Sequence, residues 1–397
     1  MTDFKFTRSL FHLPRDVIYL DGNSLGPLPV AASARVSQMI QDEWGEMLIS
    51  GWNQAGWFDQ PTRLGDRVGR LIGAQPGTVV LGDTLSIKVY QALASALELN
   101  PGRKIILSDS GNFPSDLYMA EGLTRSLGEG FAVKVVSPSE VMQSFDECVA
   151  VLMLTEVDYR TGRKHDMAAL TTRAHEKGVI ALWDLAHSAG ALPVDLAGCD
   201  VDFAVGCTYK YLNSGPGGPA FIYVNPRLVD SVRPALSGWL GHQSPFAFDL
   251  DYRPGRGIER LRVGTPPVIQ MAALEAAMDV WDHATIQDVR ARSIELTNAF
   301  IAGVEAACPM LALATPREPA LRGSQVSFRH EDGYPIMRAL VAAGVIGDFR
   351  APDILRFGFT PLYTGMEDVA AAVRILQEIM DKSIWKRPEY QIRGRVT

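Results

Sequence analysis

Asp184, His187 and Lys210 have the types and the placement to do chemistry, and all three fall within residues 179–224. The apolar run Val179-Ile-Ala-Leu-Trp183 ends at Asp184, and His187 follows three residues later. A second apolar run, 201–205, leads to Tyr209 and Lys210. A continuous apolar run of about five residues reads as a strand buried on both faces of a sheet. Ligands of open α/β sheets bind beyond the carboxyl ends of such strands. The three side chains are therefore expected to converge without being close in sequence.

Desolvation beside buried strands favours the uncharged form of a lysine, which can then act as an amine nucleophile or a base. Pyridoxal 5'-phosphate needs such an amine, and it needs a carboxylate against its pyridine nitrogen to keep the ring protonated as an electron sink. Taken singly, Asp184 reads as a helix cap and Lys210 as a solvated loop lysine. Together, with Tyr209 before the lysine and the Gly215-Pro-Gly-Gly218 turn after it, they point to that cofactor.

The elements that must position these residues alternate along the chain. A helix over 31–47 is followed by Gly51-Trp-Asn-Gln-Ala-Gly-Trp57, whose two indoles are expected to be exposed, as a pocket wall or a subunit interface. A helix over 63–72 leads to a strand over 78–81 and the turn Gly82-Asp-Thr-Leu-Ser86. The next helix, 87–97, carries Val89, Leu93 and Leu97 on one stripe. A hydroxyl-bearing turn that opens a helix is an anion site, because free N–H groups and the helix dipole point at it. Strands over 104–107 and 149–154 end at Ser110-Gly-Asn-Phe-Pro-Ser-Asp116 and Thr155-Glu156. A helix over 166–177 closes at Gly178. This order predicts right-handed βαβ units and a mostly parallel sheet. Between Val205 and Ala220 no amphipathic helix intervenes, so the strand 220–224 is expected to run antiparallel. That disfavours a dinucleotide-binding sheet.

Residues 268–304 read as a long helix broken near 282–284. It bridges to a C-terminal part with strands over 325–328 and 354–359 and helices over 333–343 and 366–380. In 354–359, Leu355, Phe357 and Phe359 share one face and Arg356 points off the other. There it is either solvated or presents a guanidinium fork to a carboxylate. The expected organisation is an N-terminal segment 1–60 that contributes to the site, a large domain 61–285 and a small α+β domain 286–397.

The segments Leu20-Asp-Gly-Asn-Ser-Leu-Gly26, Phe113-Pro-Ser-Asp116, Asp184-Leu-Ala-His187, Tyr209-Lys210-Tyr-Leu-Asn213 and Gly238-Trp-Leu-Gly-His242 resemble pyridoxal-phosphate enzymes of the aspartate-aminotransferase fold. Among these the chain most closely resembles the kynureninases, over nearly its whole length. The resemblance implies a fold-type I, class V-like α/β enzyme with a seven-stranded, mostly parallel sheet. It implies hydrolysis of L-kynurenine, or its 3-hydroxy derivative, to anthranilate or 3-hydroxyanthranilate and L-alanine. It makes Lys210 the covalent attachment point and the carrier of the α-proton, and it sets Asp184 on the pyridine nitrogen. His187 would orient Asp184 or the ring, and Tyr209 would serve as acid/base and phosphate contact. Leu85 and Ser86 would meet the phosphate. Phe113 would stack on the ring, with Pro114, Ser115, Asp116 and Thr155 as further cofactor contacts. Trp239 and Thr265 match positions that reach the phosphate from the partner subunit, which implies a homodimer with shared sites. Arg356 would hold the α-carboxylate, and Asn23, Ser24 and Trp52 would line the pocket for the aromatic ring. Lys88 stands where the pattern has asparagine, either helping to hold the phosphate or facing solvent.

Composition narrows the alternatives. The 397 residues include 38 Lys+Arg and 45 Asp+Glu, a formal net charge of −7, which argues against a nucleic-acid or anionic-membrane surface. No apolar run reaches the length of a membrane span, and the N-terminus lacks a leader's apolar core, so a cytoplasmic protein is expected. The cysteines, Cys148, Cys199, Cys207 and Cys308, form no CxxC pair and are expected to be buried reduced thiols with no metal. A cysteine desulfurase or class V aminotransferase is the nearest competitor. Cys308 is the sole candidate for a desulfurase nucleophile, and its Ala-Ala-Cys-Pro setting reads as structural. A non-catalytic cofactor-binding regulator would need a nucleic-acid-binding appendage, for which no basic arm is present.

Overall fold

Apolar runs separated by amphipathic helices become a seven-stranded sheet in the computed structural model, which describes residues 1–392 and 394. The strands are β1 (Val79–Leu81), β2 (Ile105–Asp109), β3 (Ala132–Val136), β4 (Val149–Thr155), β5 (Ile180–Asp184), β6 (Phe203–Cys207) and β7 (Ala220–Val224). Their spatial order is β1-β7-β6-β5-β4-β2-β3. The pairs from β3 through β6 are parallel. β7 runs antiparallel to both β6 and β1, as the missing crossover helix requires.

Side chains alternate between the two faces of a strand, and the sheet is apolar on both. Leu152, Leu154, Ala181, Trp183 and Phe221 pack on one face with Leu64 and Val68 of the helix Gln60–Leu71. Val151, Met153, Leu182, Phe203 and Ile222 pack on the other with Val89, Leu93 and Leu97 of the helix Leu85–Leu99. A separate apolar core gathers around the strands Gln325–Arg329 and Ile354–Gly358, covered by the helices Ile286–Ala307, Gly333–Ala342 and Met366–Asp381. The long helical stretch breaks where expected: the helix Val268–Asp279 gives way to a 3₁₀ turn, Val280–His283, before Ile286.

Four expectations change. The helix over 31–47 is α-helical only at Val30–Gln38 and continues as a π-helix, Met39–Glu46. Trp57 is not exposed: it is buried, with Nε1 donating to Glu43 at 2.8 Å. Trp52 is half-buried, its ring edge-on to Trp57 and to Trp239. Cys148 is exposed, because it precedes β4 instead of lying within it. Among the strands that went unread are β3, a partly exposed sheet edge without a long apolar run, the short Asp348–Arg350, and several two-residue strands such as Ile18–Tyr19 and Val345–Ile346.

The N-terminal segment stitches the two cores together at the site. Ile18 and Tyr19 pair with Val345 and Ile346, Asp21 bridges to Gly358, and the Gly26 amide donates to the Tyr209 carbonyl at 2.7 Å. The crossing is close enough to require glycine. A Cβ on Gly26 would lie 2.6 Å from both the Lys210 carbonyl oxygen and the Asn213 Cα, so Gly26→Ala must push the Lys210 turn away. Overpacking of this kind costs about 1–3 kcal/mol. Urea denaturation should show that loss together with reduced activity, and an unchanged midpoint would refute the tight crossing.

Candidate active site

β5 and β6 deliver the residues singled out by spacing. Asp184 closes β5 with almost no exposure. Its Oδ1 accepts from the Ala186 amide at 2.8 Å, and Oδ2 lies 3.5 Å from the Thr155 hydroxyl at the end of β4. Asp116, in the first turn of the helix Pro114–Leu127, is equally buried and interacts directly with Asp184. Burial raises both carboxyls, Asp116 the further because it also feels the Asp184 charge, while Lys210 draws both back down. Asp116 is thus the carboxyl of the pair that takes a proton more readily, and Asp184 the one that more readily keeps the charge.

Lys210 Nζ donates to His187 Nε2 at 3.0 Å. Burial, then the charges of Lys210, Arg356 and Arg350, hold His187 well below its usual pKa. A neutral ring that accepts at Nε2 carries its proton on Nδ1, and Nδ1 is buried without a partner beside Gln325, whose Oε1 is likewise unmatched. His187 thus bears on Lys210, and no hydrogen bond joins it to Asp184 among the described residues, against one of the two expected roles. The Lys210 nitrogen lies 5.9 Å from the Phe113 ring centre and 5.8 Å from that of Tyr209. Neighbouring Cys207 and burial push the Tyr209 phenol upward, so it keeps its proton and is a donor at neutral pH.

Ser86 and Ser115 face each other, Oγ to Oγ at 3.1 Å, in the first turns of the helices Leu85–Leu99 and Pro114–Leu127. First-turn amides, Leu85 and Ser86 among them, have no acceptor inside their own helix, and two helix dipoles meet there. Lys88 neither reaches this cup nor faces solvent. It is fully buried, with its three donors on Asp83 (3.0 Å), Gln91 (2.9 Å) and the Leu261 carbonyl (3.3 Å).

Arg356 does point off the core face of its strand and is buried, but its fork is already engaged. Nε donates to Asp348 Oδ1 at 2.7 Å and Nη2 to Asp348 Oδ2. Nη1 reaches the Tyr159 carbonyl at 2.6 Å and Nη2 the Ser24 hydroxyl at 2.8 Å. A free side-on clamp for a substrate carboxylate is therefore not what the residue offers. Asn23 is buried with both side-chain polar atoms unmatched. Trp52, Trp239 and Thr265 stand apart: Trp52 and Trp239 contact each other, and Thr265 is exposed on the arm beside Asp83. Among the described residues no hydrogen bond or ring contact joins these three to Lys210 or Asp184.

Sequence reasoning missed Asn112, Gln325, Asp348 and Arg350. Asn112 accepts from Thr155 and donates to Ser108 at 2.9 Å. Asp348 and Arg350 were findable, because their spacing of two puts them on one strand face and Asp348 lies in register with Arg356.

Solved structures with this architecture include the cysteine desulfurase of Thermococcus onnurineus, with a TM-score of 0.79, 18% identity and coverage of 95% of this chain and 98% of that one. Another is a mutant of C-DES with glycine covalently linked to its pyridoxal-phosphate cofactor, with a TM-score of 0.82, 16% identity and coverage of 94% and 99%. The fold is thus that of the fold-type I enzymes. A profile of the kynureninase C-terminal domain matches residues 289–376. Kynureninase of Pseudomonas fluorescens is 50% identical over 98% of this chain and 95% of its own length, and that of Burkholderia pseudomallei is 49% identical over the same shares. This chain belongs to the kynureninase family.

The residues fit pyridoxal phosphate. A serine-lined cup at two helix starts suits a phosphate, a buried carboxylate suits a pyridine nitrogen, and His187 and Asp116 each keep a buried polar atom without a hydrogen-bond partner. Since Asp116 is the more readily protonated of the pair, Asp116→Asn should keep cofactor affinity within about tenfold. Asp184→Asn should lose one to two orders of magnitude, roughly the worth of one charge-assisted bond. Equilibrium dialysis separates the two, and equal losses would refute the assignment of the proton.

Proposed function

We propose that this protein is a kynureninase, which adds water across the Cβ–Cγ bond of L-kynurenine and releases anthranilate and L-alanine with pyridoxal 5'-phosphate as cofactor. The observation that carries the reading is the set of Lys210, His187, Asp184, Asp116 and Phe113 at one sheet edge, in a chain half identical to a kynureninase over nearly its whole length. Bound there, the cofactor supplies a sink for the electrons of the broken bonds.

The chain's own residues do the rest. Leu85, Ser86 and Ser115 hold the phosphate, with Tyr209 as a further donor, and Asp184 holds the proton on the pyridine nitrogen. Asp116 and Thr155 support Asp184, while Phe113, fixed by Pro114 at the helix start, covers the ring. Lys210 moves the proton at the substrate Cα, and neutral His187 orients the lysine nitrogen. Tyr209, a donor at neutral pH, is suited to give a proton in the later steps. Arg356 meets the α-carboxylate, and Asn23, Ser24 and Trp52 line the space for the aromatic ring. The separate apolar cores support reading 61–285 and 286–397 as a large and a small domain, with 1–60 lending the site Asn23 and Ser24.

A desulfurase role is disfavoured by Cys308. It is fully buried at the end of the helix Ile286–Ala307, and burial pushes its thiol up to about 11, the reverse of a reactive thiolate.

The enzyme is read as a cytoplasmic homodimer with shared sites. Exposed Phe246, Phe248 and Leu250 and an open, largely apolar groove of about 960 Å³ beside the 213–216 turn support a second copy. Trp239 and Thr265, on exposed arms, would then serve the partner's phosphate. No helix among the described residues is long and apolar enough to cross a membrane.

Loaded with pyridoxal phosphate, the protein should convert kynurenine to fluorescent anthranilate, and Lys210→Ala should abolish both turnover and borohydride-fixable cofactor. Absence of anthranilate from the loaded parent protein overturns the reading. Mixing inactive Lys210→Ala with inactive Thr265→Ala should restore activity through hybrid dimers, whereas an active monomer in sedimentation would refute shared sites.

A further inference from the structure

The Arg356 fork raises a question of charge. Asp348 takes its Nε/Nη2 edge, which makes the pair neutral, and a neutral pair attracts a carboxylate poorly. Arg350 changes the count. It lies on the same strand face as Asp348, two residues on, and its Nη2 donates to Asp348 Oδ2 at 2.6 Å and approaches Ser24 Oγ at 3.4 Å. Two guanidiniums thus share one carboxylate, and one positive charge remains uncompensated. Asp21, the other acid nearby, is pushed up to about 7, first by burial and then by Asp348, so at neutral pH it cancels that charge only in part.

Two further observations place Arg350 in the site. Its charge and that of Arg356 both act on His187, the partner of Lys210. Its Nε is buried with no partner, and a buried unmatched donor is costly unless something accepts from it. The rest of the side chain is about one-third exposed, so the group is open to a ligand and not sealed into the core. Arg356 keeps only neutral partners, Tyr159 O and Ser24 Oγ, beyond its Asp348 edge.

From this geometry we infer that Arg350 is a second carboxylate-binding residue, which meets the substrate α-carboxylate together with the outer end of Arg356 while Asp348 holds the two guanidiniums side by side. The inference rests on the amino-acid-substrate reading above. It assigns the net attraction to Arg350 and the orientation to the Arg356–Asp348 pair. Ser24, which donates to Asp348 at 2.7 Å and accepts from Arg356, is the neutral group a carboxylate would replace.

The test uses the holoenzyme and two ligands that differ by one carboxylate, L-alanine and ethylamine, each titrated against the cofactor absorbance. Arg350→Gln should weaken L-alanine by about ten- to a hundredfold, the value of a charge-assisted hydrogen bond, and leave ethylamine and the unliganded spectrum unchanged. Arg350→Lys, which keeps the charge but not the fork, should fall between. L-Alanine binding as tight as in the parent overturns the inference, and so does an equal loss for both ligands, which would mark a structural role. A parent protein that does not distinguish the two ligands removes the carboxylate reading of Arg356 itself. A discriminating parent with an indifferent Arg350→Gln removes only the role of Arg350.

Discussion

Asp184 and Asp116 are buried side by side, and the rest of the site is arranged around that contact. An isolated buried carboxylate costs several kcal/mol unless it is paired or neutralised, so the pair can exist only where donors are available. In the middle of a parallel sheet the ladder uses up every backbone donor. At the carboxyl edge it does not, and the Ala186 amide is left to meet Asp184. A polar ribbon extends that edge across three neighbouring strands. Ser108 of β2 accepts from Asn112, Asn112 accepts from Thr155 of β4, and Thr155 faces Asp184 of β5. The strand order β5-β4-β2 makes this ribbon continuous, and it brings the helix that starts after β2 close enough for Asp116 to share a proton with Asp184.

A second constraint comes from the small core. Its sheet contributes Arg356 on the face that carries Gly358, and the N-terminal segment packs there, with the Gly358 amide donating to the Leu20 carbonyl. That segment passes so close to its neighbours that side chains are excluded: a Cβ on Gly358 would lie 1.9 Å from the Asn23 amide oxygen, and one on Gly22 would lie 2.0 Å from the Tyr363 hydroxyl. The run from Leu20 to Gly26 is thus held both to Gly358, on the strand of Arg356, and to the Lys210 turn. It ties the position of the guanidiniums to the position of the lysine, although they belong to separately packed cores.

How much of this the sequence disclosed depended on whether burial left a pattern. β4, β5, β6 and β7 are buried on both faces and read as unbroken apolar runs, and Asp184 and Lys210 stand out because they end or follow such runs. The antiparallel β7 was legible from a missing helix. β3 was not, because an edge strand with two of its five residues exposed and none buried has no run to read. Asp348–Arg350 has no such run either: two of its three residues are charged and are placed by pairing with each other and with Arg356 and not by apolar character, so only their spacing of two pointed to it. The partners of Arg356 went unread on the same point. Strand alternation gives the direction of a side chain, but the occupant of its fork lies eight residues away across a turn and leaves no periodic trace. Lys88 is a parallel case, for a lysine among Val89, Leu93 and Leu97 shows nothing of the Asp83–Gln91–Leu261 nest that neutralises it.

The fold alone does not select the reaction, since a cysteine desulfurase shares it at 18% identity. Selection must come from what surrounds Lys210 and Asp184. Cys308 is sealed in the small core. The cluster around Arg356 is strongly polar, with two arginines, Asp348, Ser24 and an Asn23 whose amide is buried and unmatched. A cluster of this kind costs stability when empty and recovers it when a ligand supplies acceptors and donors. Neutral His187 fits the same logic. An imidazolium within 3.0 Å of Lys210, and in the field of both arginines, would add a third positive charge. Burial prevents that and leaves His187 an acceptor that fixes the lysine nitrogen, so the arginine pair is the positive charge available to an anionic ligand.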